Sequence, residues 1–310
     1  MTSKTRWILA LIAALALLLT ACGGGDEGDT SDGATDADGG AEETEATEEE
    51  VTEDGGDGAA AGDLGLLNEG VITVGSDIAF EPFEFIQDGE PAGFDIDLMN
   101  EIADRLGLEV EYVNASFDTI FTQLAAGDFD AIISAITITE ERDQTIDFTD
   151  PYFAANQAVA VTTDGPDVAS EDDLAGLQVA VQAGTTGLDY ANENFTESTI
   201  VEFPTSEAAF TALESGQVDA VFIDLPVVSA RVETSENVEL ALEVDTGELY
   251  GIGVQDGNAA LRDALNEQLA DIIADGTYEE IYSRWFEGDV PEQFRTGDGA
   301  SADATEDATE

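Results

Sequence analysis

Three hydroxyls and an arginine, Ser134, Thr137, Thr139 and Arg142, follow closely on the apolar run Ala131-Ile132-Ile133. That combination suits an anion. A guanidinium presents five donors in a planar fork that matches a carboxylate two bonds at a time, and hydroxyls with free backbone N–H groups complete such a cradle. A second reading stands beside it, because Glu140, Glu141 and Asp143 crowd the arginine and would pair with it on an exposed surface.

An arginine can grip a ligand only if the chain positions it, and the apolar run says how. Residues 131–133, bounded by Ser134, have the length and β-branching of a buried strand, and in open α/β sheets ligands collect where such strands end. Further strands are expected at 71–75, 109–113, 158–161, 178–182, 199–202 and 218–223. Between them the 3.6-residue period marks helices at 97–106 and 118–126, both stopped by glycine, and at 206–214. A short helix at 170–174 carries a loose capping box of Ser170 and Asp173, and another helix follows Thr185. The C-terminal part is helical, with Leu261, Leu265, Leu269 and Ile272 on one face and then Tyr278, Ile281, Tyr282 and Trp285 on the next. The fold class is therefore α/β.

An internal repeat organises these elements. Phe121-Thr-x-Leu124-x-x-Gly127-x-x-Asp130-Ala131 recurs as Phe210-Thr-x-Leu213-x-x-Gly216-x-x-Asp219-Ala220. Either this is the generic look of a helix feeding a strand, or the chain holds two similar lobes. In the second case residues 131–137 and 220–226 end at equivalent places, Arg142 projects from one jaw and Asp224 from the other. A carboxylate and an ammonium on one carbon would satisfy both.

Composition excludes much else. The 310 residues hold 70 acids, 8 bases and no histidine, for a formal charge of -62. Such a surface repels nucleic acid, so no nucleic-acid partner is expected. Without histidine and with one cysteine there is no Ser-His-Asp or Cys-His machinery, no histidine metal ligand and no intrachain disulfide. Neither metal nor cofactor is expected. The cysteine has its own context: Lys4 and Arg6 precede an apolar stretch over 7–19, and Leu19-Thr20-Ala21-Cys22 closes it. This resembles a bacterial lipoprotein signal, with residues 1–21 removed and Cys22 lipidated, and the stretch is short for a span of roughly 20 apolar residues. Residues 22–65 read as a disordered acidic tether and 297–310 as a tail of the same kind.

Taken together, residues 71 to 288 resemble the family 3 extracellular solute-binding proteins, the polar amino-acid receptors of bacterial ABC importers. The resemblance rests on Val74-Gly-Ser-Asp77-Ile-Ala-Phe80-Glu-Pro82-Phe83-Glu-Phe85, Gly93-Phe-Asp-Ile-Asp97-Leu98, Ser116-Phe117-Asp118, Thr137-Ile-Thr139-Glu-Glu-Arg142 and Asp147-Phe-Thr-Asp-Pro-Tyr152. It continues through Val181-Gln-Ala-Gly184-Thr-Thr186, Asp219-Ala220 with Asp224, Tyr250-Gly251-Ile252, and the run from Asp275 to Phe286. It implies a two-lobed type II periplasmic-binding fold with hinge strands near 152–156 and 246–250. Lobe 1 would comprise 66–155 and 249–296, and lobe 2 156–248.

The resemblance also assigns roles. Arg142, with Thr137 and Thr186, would take the ligand α-carboxylate. Asp224, the Ala135 carbonyl and the Thr137 hydroxyl would take the α-ammonium, unless Asp224 is a helix N-cap ahead of Pro226. Phe80 and Phe117 would sandwich the side chain, or serve as ordinary core aromatics. Asp77 and Gln182 would meet distal groups, with Glu248 a looser candidate, which favours glutamine or a basic amino acid. Ile223 departs from relatives that are polar there. The expected protein is a monomeric, lipid-anchored binding protein on the extracytoplasmic face of the membrane, working with ABC permease subunits and not an enzyme. Alternatives on the same fold are a dehydratase-like enzyme and a ligand-sensing lipoprotein without transport.

The charge makes a first prediction. Self-repulsion should weaken the fold when screening is weak, as expected of a protein adapted to high salt. The thermal midpoint should therefore be lower in about 0.1 M than in about 2 M sodium chloride, where the Debye length falls below ~3 Å. Equal midpoints in the two would exclude adaptation to high salt.

Overall fold

The computed structural model describes residues 64–295, so the expected signal, Cys22, nearly all of the tether and the tail lie outside the described residues. In chain order the elements begin with β1 (Val71–Ser76), the hairpin strands β2 (Phe85–Gln87) and β3 (Glu90–Ala92), α1 (Phe94–Leu106), β4 (Glu109–Asn114), α2 (Phe117–Ala126), β5 (Ala131–Ile132) and β6 (Ile146–Phe148). Then come β7 (Phe153–Thr162), β8 (Gln178–Gln182), α3 (Thr186–Asn194), β9 (Thr199–Phe203), α4 (Ser206–Glu214), β10 (Ala220–Asp224) and α5 (Leu225–Thr234). The chain finishes with β11 (Val238–Tyr250), β12 (Gly253–Gln255), α6 (Ala259–Asp275) and α7 (Thr277–Trp285).

Two five-stranded sheets carry the structure, in the orders β4-β1-β5-β12-β6 and β9-β8-β10-β7-β11. They have the same plan. In each, the first three strands are mutually parallel, and the fourth turns antiparallel to the third and the fifth antiparallel to the fourth. The repeat is thus structural: α2 feeds β5 as α4 feeds β10, and both feeding turns pass through a left-handed glycine, Gly127 and Gly216. The repeated aspartates do the same work. Asp130 accepts the Thr73 N–H at 2.8 Å and Asp219 the Gln178 N–H at 2.8 Å, each tying the strand start to its parallel neighbour.

Connections between the sheets run through β7 and β11, which pair along their length as far as Phe153 with Tyr250. Beyond Tyr250 the chain rejoins the first sheet through β12, and α6 and α7 pack against α1. The core follows the sequence pattern. Leu98, Met99 and Ile102 of α1 meet Leu261, Leu265, Leu269, Tyr278 and Ile281 in one buried cluster under the first sheet. Phe195 and Phe222 anchor a second cluster beside α3.

Several expectations need correction. The strand expected over 131–133 pairs at Ala131–Ile132, and the chain after it turns away, with Ala135 at φ 45°, left-handed and costly for a residue with a Cβ. Helix α1 starts three residues earlier than its apolar period suggests. Its first N–H groups, Phe94 and Asp95, donate to Pro82 and Phe83 carbonyls at 3.0 Å each, so neighbouring backbone satisfies them in place of a cap. The long β11 adds a strand over 238–245 that the expected elements lack, although Val238, Leu240, Leu242 and Val244 alternate there with Glu239, Glu243 and Asp245, and two register shifts bulge it. The short helix at 170–174 is 3₁₀, and its capping box is present.

The entry to α1 makes a second prediction. Gly93 sits at φ 132°, and a Cβ there would lie 2.0 Å from the Phe83 carbonyl oxygen. Gly93→Ala should lower the unfolding free energy by about 2 kcal/mol or more, measured in urea. A loss under about 0.5 kcal/mol would show that the close approach is not needed.

Candidate functional site

Four strands of the two sheets deliver their C-terminal ends to one cleft. β1 ends beside Asp77, β5 leads into Ser134, Ala135 and Thr137, β8 ends on Gln182 ahead of the N-terminus of α3, and β10 ends on Asp224. All nine residues singled out in the sequence, Asp77, Phe80, Phe117, Ala135, Thr137, Arg142, Gln182, Thr186 and Asp224, line this one cavity together with Ser134 and Thr185. Thr139 does not line it; its hydroxyl accepts the Arg142 N–H at 3.2 Å and starts the turn that carries the arginine.

Arg142 is set by neutral groups. Nη1 donates to the Thr137 carbonyl at 2.7 Å and Nη2 crosses the cleft to the Gly184 carbonyl at 3.2 Å. The guanidinium lies over Phe121 and Phe117, 4.6 and 5.4 Å from their centroids. The surface ion-pair reading fails. Among the described residues the other five arginines, 105, 231, 262, 284 and 295, each have a carboxylate within 4 Å, and Arg142 has none. Burial lowers its pKa to about 10, against the opposing pull of Glu248.

Arg231 makes an instructive contrast. It follows Phe210 at the same interval by which Arg142 follows Phe121, and stands over that ring at 5.2 Å, but it also pairs with Glu207 and Glu214 at 3.1 Å each.

Across the cleft, Asp224 occupies the N-cap position of α5 yet its carboxylate makes no cap. It accepts instead a short hydrogen bond from the Tyr250 hydroxyl. Burial first, and the Glu248 charge second, push its pKa up to about 7. Asp77 and Gln182 meet across the cleft, the amide donating to the carboxylate at 2.7 Å, and burial raises Asp77 to about 6. Phe80 and Phe117 are core aromatics, each 7% exposed and packed on another ring, Phe83 or Phe121, and both also line the cavity.

The residue underweighted in the sequence is Glu248. Its carboxylate accepts the Thr137 hydroxyl at 2.6 Å, the Thr186 hydroxyl at 3.1 Å and the Gln157 amide at 3.1 Å. Both threonine hydroxyls expected beside Arg142 are therefore engaged by this carboxylate. What remains for an anion is the guanidinium fork and the first-turn N–H groups of α3, at Thr186 and Gly187. Ser134, expected at a crevice from the sequence, lines the cavity, whereas Gln157, Glu84 and Asp95 support it from behind and carry no sequence signal of their own, a carboxyl residue being common in so acidic a chain.

With this geometry in hand, comparison with known proteins is direct. Residues 72–288 match the bacterial extracellular solute-binding proteins, family 3. The chain is 38% identical over 208 residues to the ABC transporter glutamine-binding protein of Bacillus subtilis, covering 66% of this chain and 76% of that one. It is 34% identical over 221 residues to ABC transporter arginine-binding protein 1 of Escherichia coli, covering 69% and 90%. Among solved structures, an ancestral arginine-binding protein bound to glutamine superposes with a TM-score of 0.69 at 39% identity, covering 71% of this chain and 99% of that one. Two matching sheets, a cleft at their strand ends and a match over nearly all the described residues leave one assignment: the chain belongs to family 3 of the bacterial extracellular solute-binding proteins.

Proposed function

We propose that this protein is a lipid-anchored receptor that closes on a polar amino acid between its lobes and delivers it to an ABC importer. The observation that carries the reading is the half-buried Arg142, which has no carboxylate within 4 Å among the described residues. In a chain with 70 acids against 8 bases, a cation left without an acid partner awaits an anion from outside. Asp224 on the facing jaw supplies the complement for an ammonium. In this reading Arg142 and the α3 N-terminus hold the α-carboxylate, Asp224, the Ala135 carbonyl and the Thr137 hydroxyl hold the ammonium, and Phe80 and Phe117 flank the side chain.

Two carboxyls, Asp77 and Asp224, line the cavity and a third, Glu248, stands behind Thr137 and Thr186, against one arginine, which favours a ligand with donors at its far end. Glutamine or a basic amino acid fits this balance, in line with the named ligands of the relatives. An acidic amino acid would meet repulsion from Asp77. The role is binding rather than catalysis, exercised by a monomer whose lobes are 66–155 with 249–296, and 156–248. Cys22 carries the lipid that holds it at the extracytoplasmic face, and permease subunits receive its cargo.

The central test is at Arg142. Arg142→Ala should weaken binding of the preferred amino acid by at least about 10 to 100-fold in calorimetry, and Arg142→Lys nearly as much, since an ammonium lacks the planar fork. The decarboxylated amine of that amino acid should not bind the wild type. Tight binding of the amine, or full affinity in Arg142→Ala, would remove the amino-acid assignment.

Closure has its own test. Gly184 lies at φ 77°, its carbonyl receives Arg142, and a Cβ on it would stand 2.8 Å from Cα of Asp118 on the opposite lobe. Gly184→Ala should hold the lobes apart, giving a larger radius of gyration than wild type at saturating ligand and an affinity lower by at least about tenfold. Identical scattering for the two proteins would count against a clamp that closes on this glycine.

A further inference from the structure

Behind the cavity two acids lie side by side with no cation. Glu84 and Asp95 are both fully buried, brought together where the Asp95 N–H donates to the Phe83 carbonyl at 3.0 Å. Each has one oxygen in use. Glu84 Oε1 accepts the Ser134 hydroxyl at 2.6 Å, and that hydroxyl in turn accepts the Asp77 N–H at 3.1 Å. Asp95 Oδ2 accepts the Ala135 N–H at 2.7 Å and the Tyr152 hydroxyl at 2.8 Å. The other two oxygens, Glu84 Oε2 and Asp95 Oδ1, are buried and, among the described residues, receive no donor.

Two ionised carboxylates cannot occupy such a place together, because each bare oxygen would be desolvated and would repel the other. A single proton between them answers both needs, turning the two orphan acceptors into one donor and one acceptor. Its place follows from the partners. Asp95 holds two donors, which favour its anion, whereas Glu84 holds one and faces the Asp95 charge, so the proton sits on Glu84. Burial, and then the Asp95 charge, hold Glu84 well above the usual carboxylate range.

We propose that Glu84 and Asp95 share one proton and act as the positioning pair of the cleft, keeping Ser134 and left-handed Ala135 in the arrangement that receives a ligand. The left-handed turn at Ala135 points its carbonyl, and it persists because Asp95 anchors its N–H. Ser134 carries the same constraint to Asp77. The groups facing the pair are Asp77 from the end of β1, Tyr152 ahead of β7, Tyr278 from α7 and Tyr112 from β4, and among the described residues no arginine is hydrogen-bonded to either carboxyl. When the shared proton leaves, the pair must separate, and the turn at Ala135 loses its anchor.

The ligand half of this proposal rests on the amino-acid reading above; the proton half does not. Because the folded form keeps a proton that the unfolded chain releases above its ordinary range, this pair stabilises the fold most at low pH, and that stability is lost as pH rises through its folded value. In Glu84→Gln the amide oxygen still accepts from Ser134 and the NH2 group donates to Asp95, a permanent copy of the protonated form.

Full chains of wild type, Glu84→Gln and Asp95→Asn are compared from about pH 5 to about pH 10 by thermal unfolding without ligand, by calorimetry with the amino acid that most stabilises wild type, and by infrared difference spectra. Expected are a smaller fall of midpoint with pH in Glu84→Gln than in wild type, and loss of one protonated-carboxyl band in both variants. Wild-type affinity should fall relative to Glu84→Gln by up to about tenfold per pH unit above the midpoint of the pair. Parallel melting curves for wild type and Glu84→Gln, or a protonated band kept in both variants, would overturn the shared proton. If Glu84→Gln fails to fold, the Asp95→Asn spectrum decides the same point. Amino-acid binding with one pH profile in wild type and Glu84→Gln would overturn the positioning role, whereas failure of any amino acid to bind wild type would sink the ligand reading and with it that role, leaving the melting and infrared results to judge the proton.

Discussion

A guanidinium taken out of water needs compensation, and around Arg142 it comes from carbonyl dipoles and ring faces rather than from a carboxylate. Carbonyls of Thr137 and Gly184 hold the fork in place without cancelling its charge, and Phe117 and Phe121 shield one side. Much of the surrounding architecture serves that condition. β5 is cut to two residues so that the chain can turn at Ala135 and bring Arg142 round to the cleft. Gly184 carries no side chain, so the opposite lobe comes close enough for its carbonyl to reach the arginine.

The carboxyls of the site divide by how they are supported. Asp224 leans on Tyr250 at the junction of the sheets, Asp77 on Gln182 across the cleft, and Glu248 on two threonines and Gln157. Each has a neutral donor as its main partner, and burial raises the first two towards neutrality. Their protonation is therefore sensitive to local charge, since any cation brought beside Asp224 would favour its anion.

Element positions were largely legible in the sequence, and for physical reasons. Buried parallel strands such as 178–182 read as continuous apolar runs, and helices such as 206–214 carry their period and their stops in the side chains. The cavity residues were legible through the family resemblance, which brought nine scattered positions to one place. What escaped were interactions made by backbone and by excess acids. Nothing in an Ala-Ile-Ile-Ser-Ala run shows that Ala135 turns left-handed, because the cause is Asp95, forty residues away in the chain. Glu84 and Asp95 look in the sequence like two more acids among seventy, Glu248 is only a looser candidate there, and burial separates all three from the solvated rest.

The two arginines over equivalent phenylalanines show what frees a charge. On α4, Glu207 and Glu214 neutralise Arg231. The corresponding positions of α2 hold Asp118, at the cleft beside Gly184, and Ala125. Arg142 is available because the helix beneath it offers a methyl group where its counterpart offers a carboxylate. In a chain this rich in acids, an arginine keeps its charge unpaired as much through the acid that is missing from position 125 as through the base at position 142.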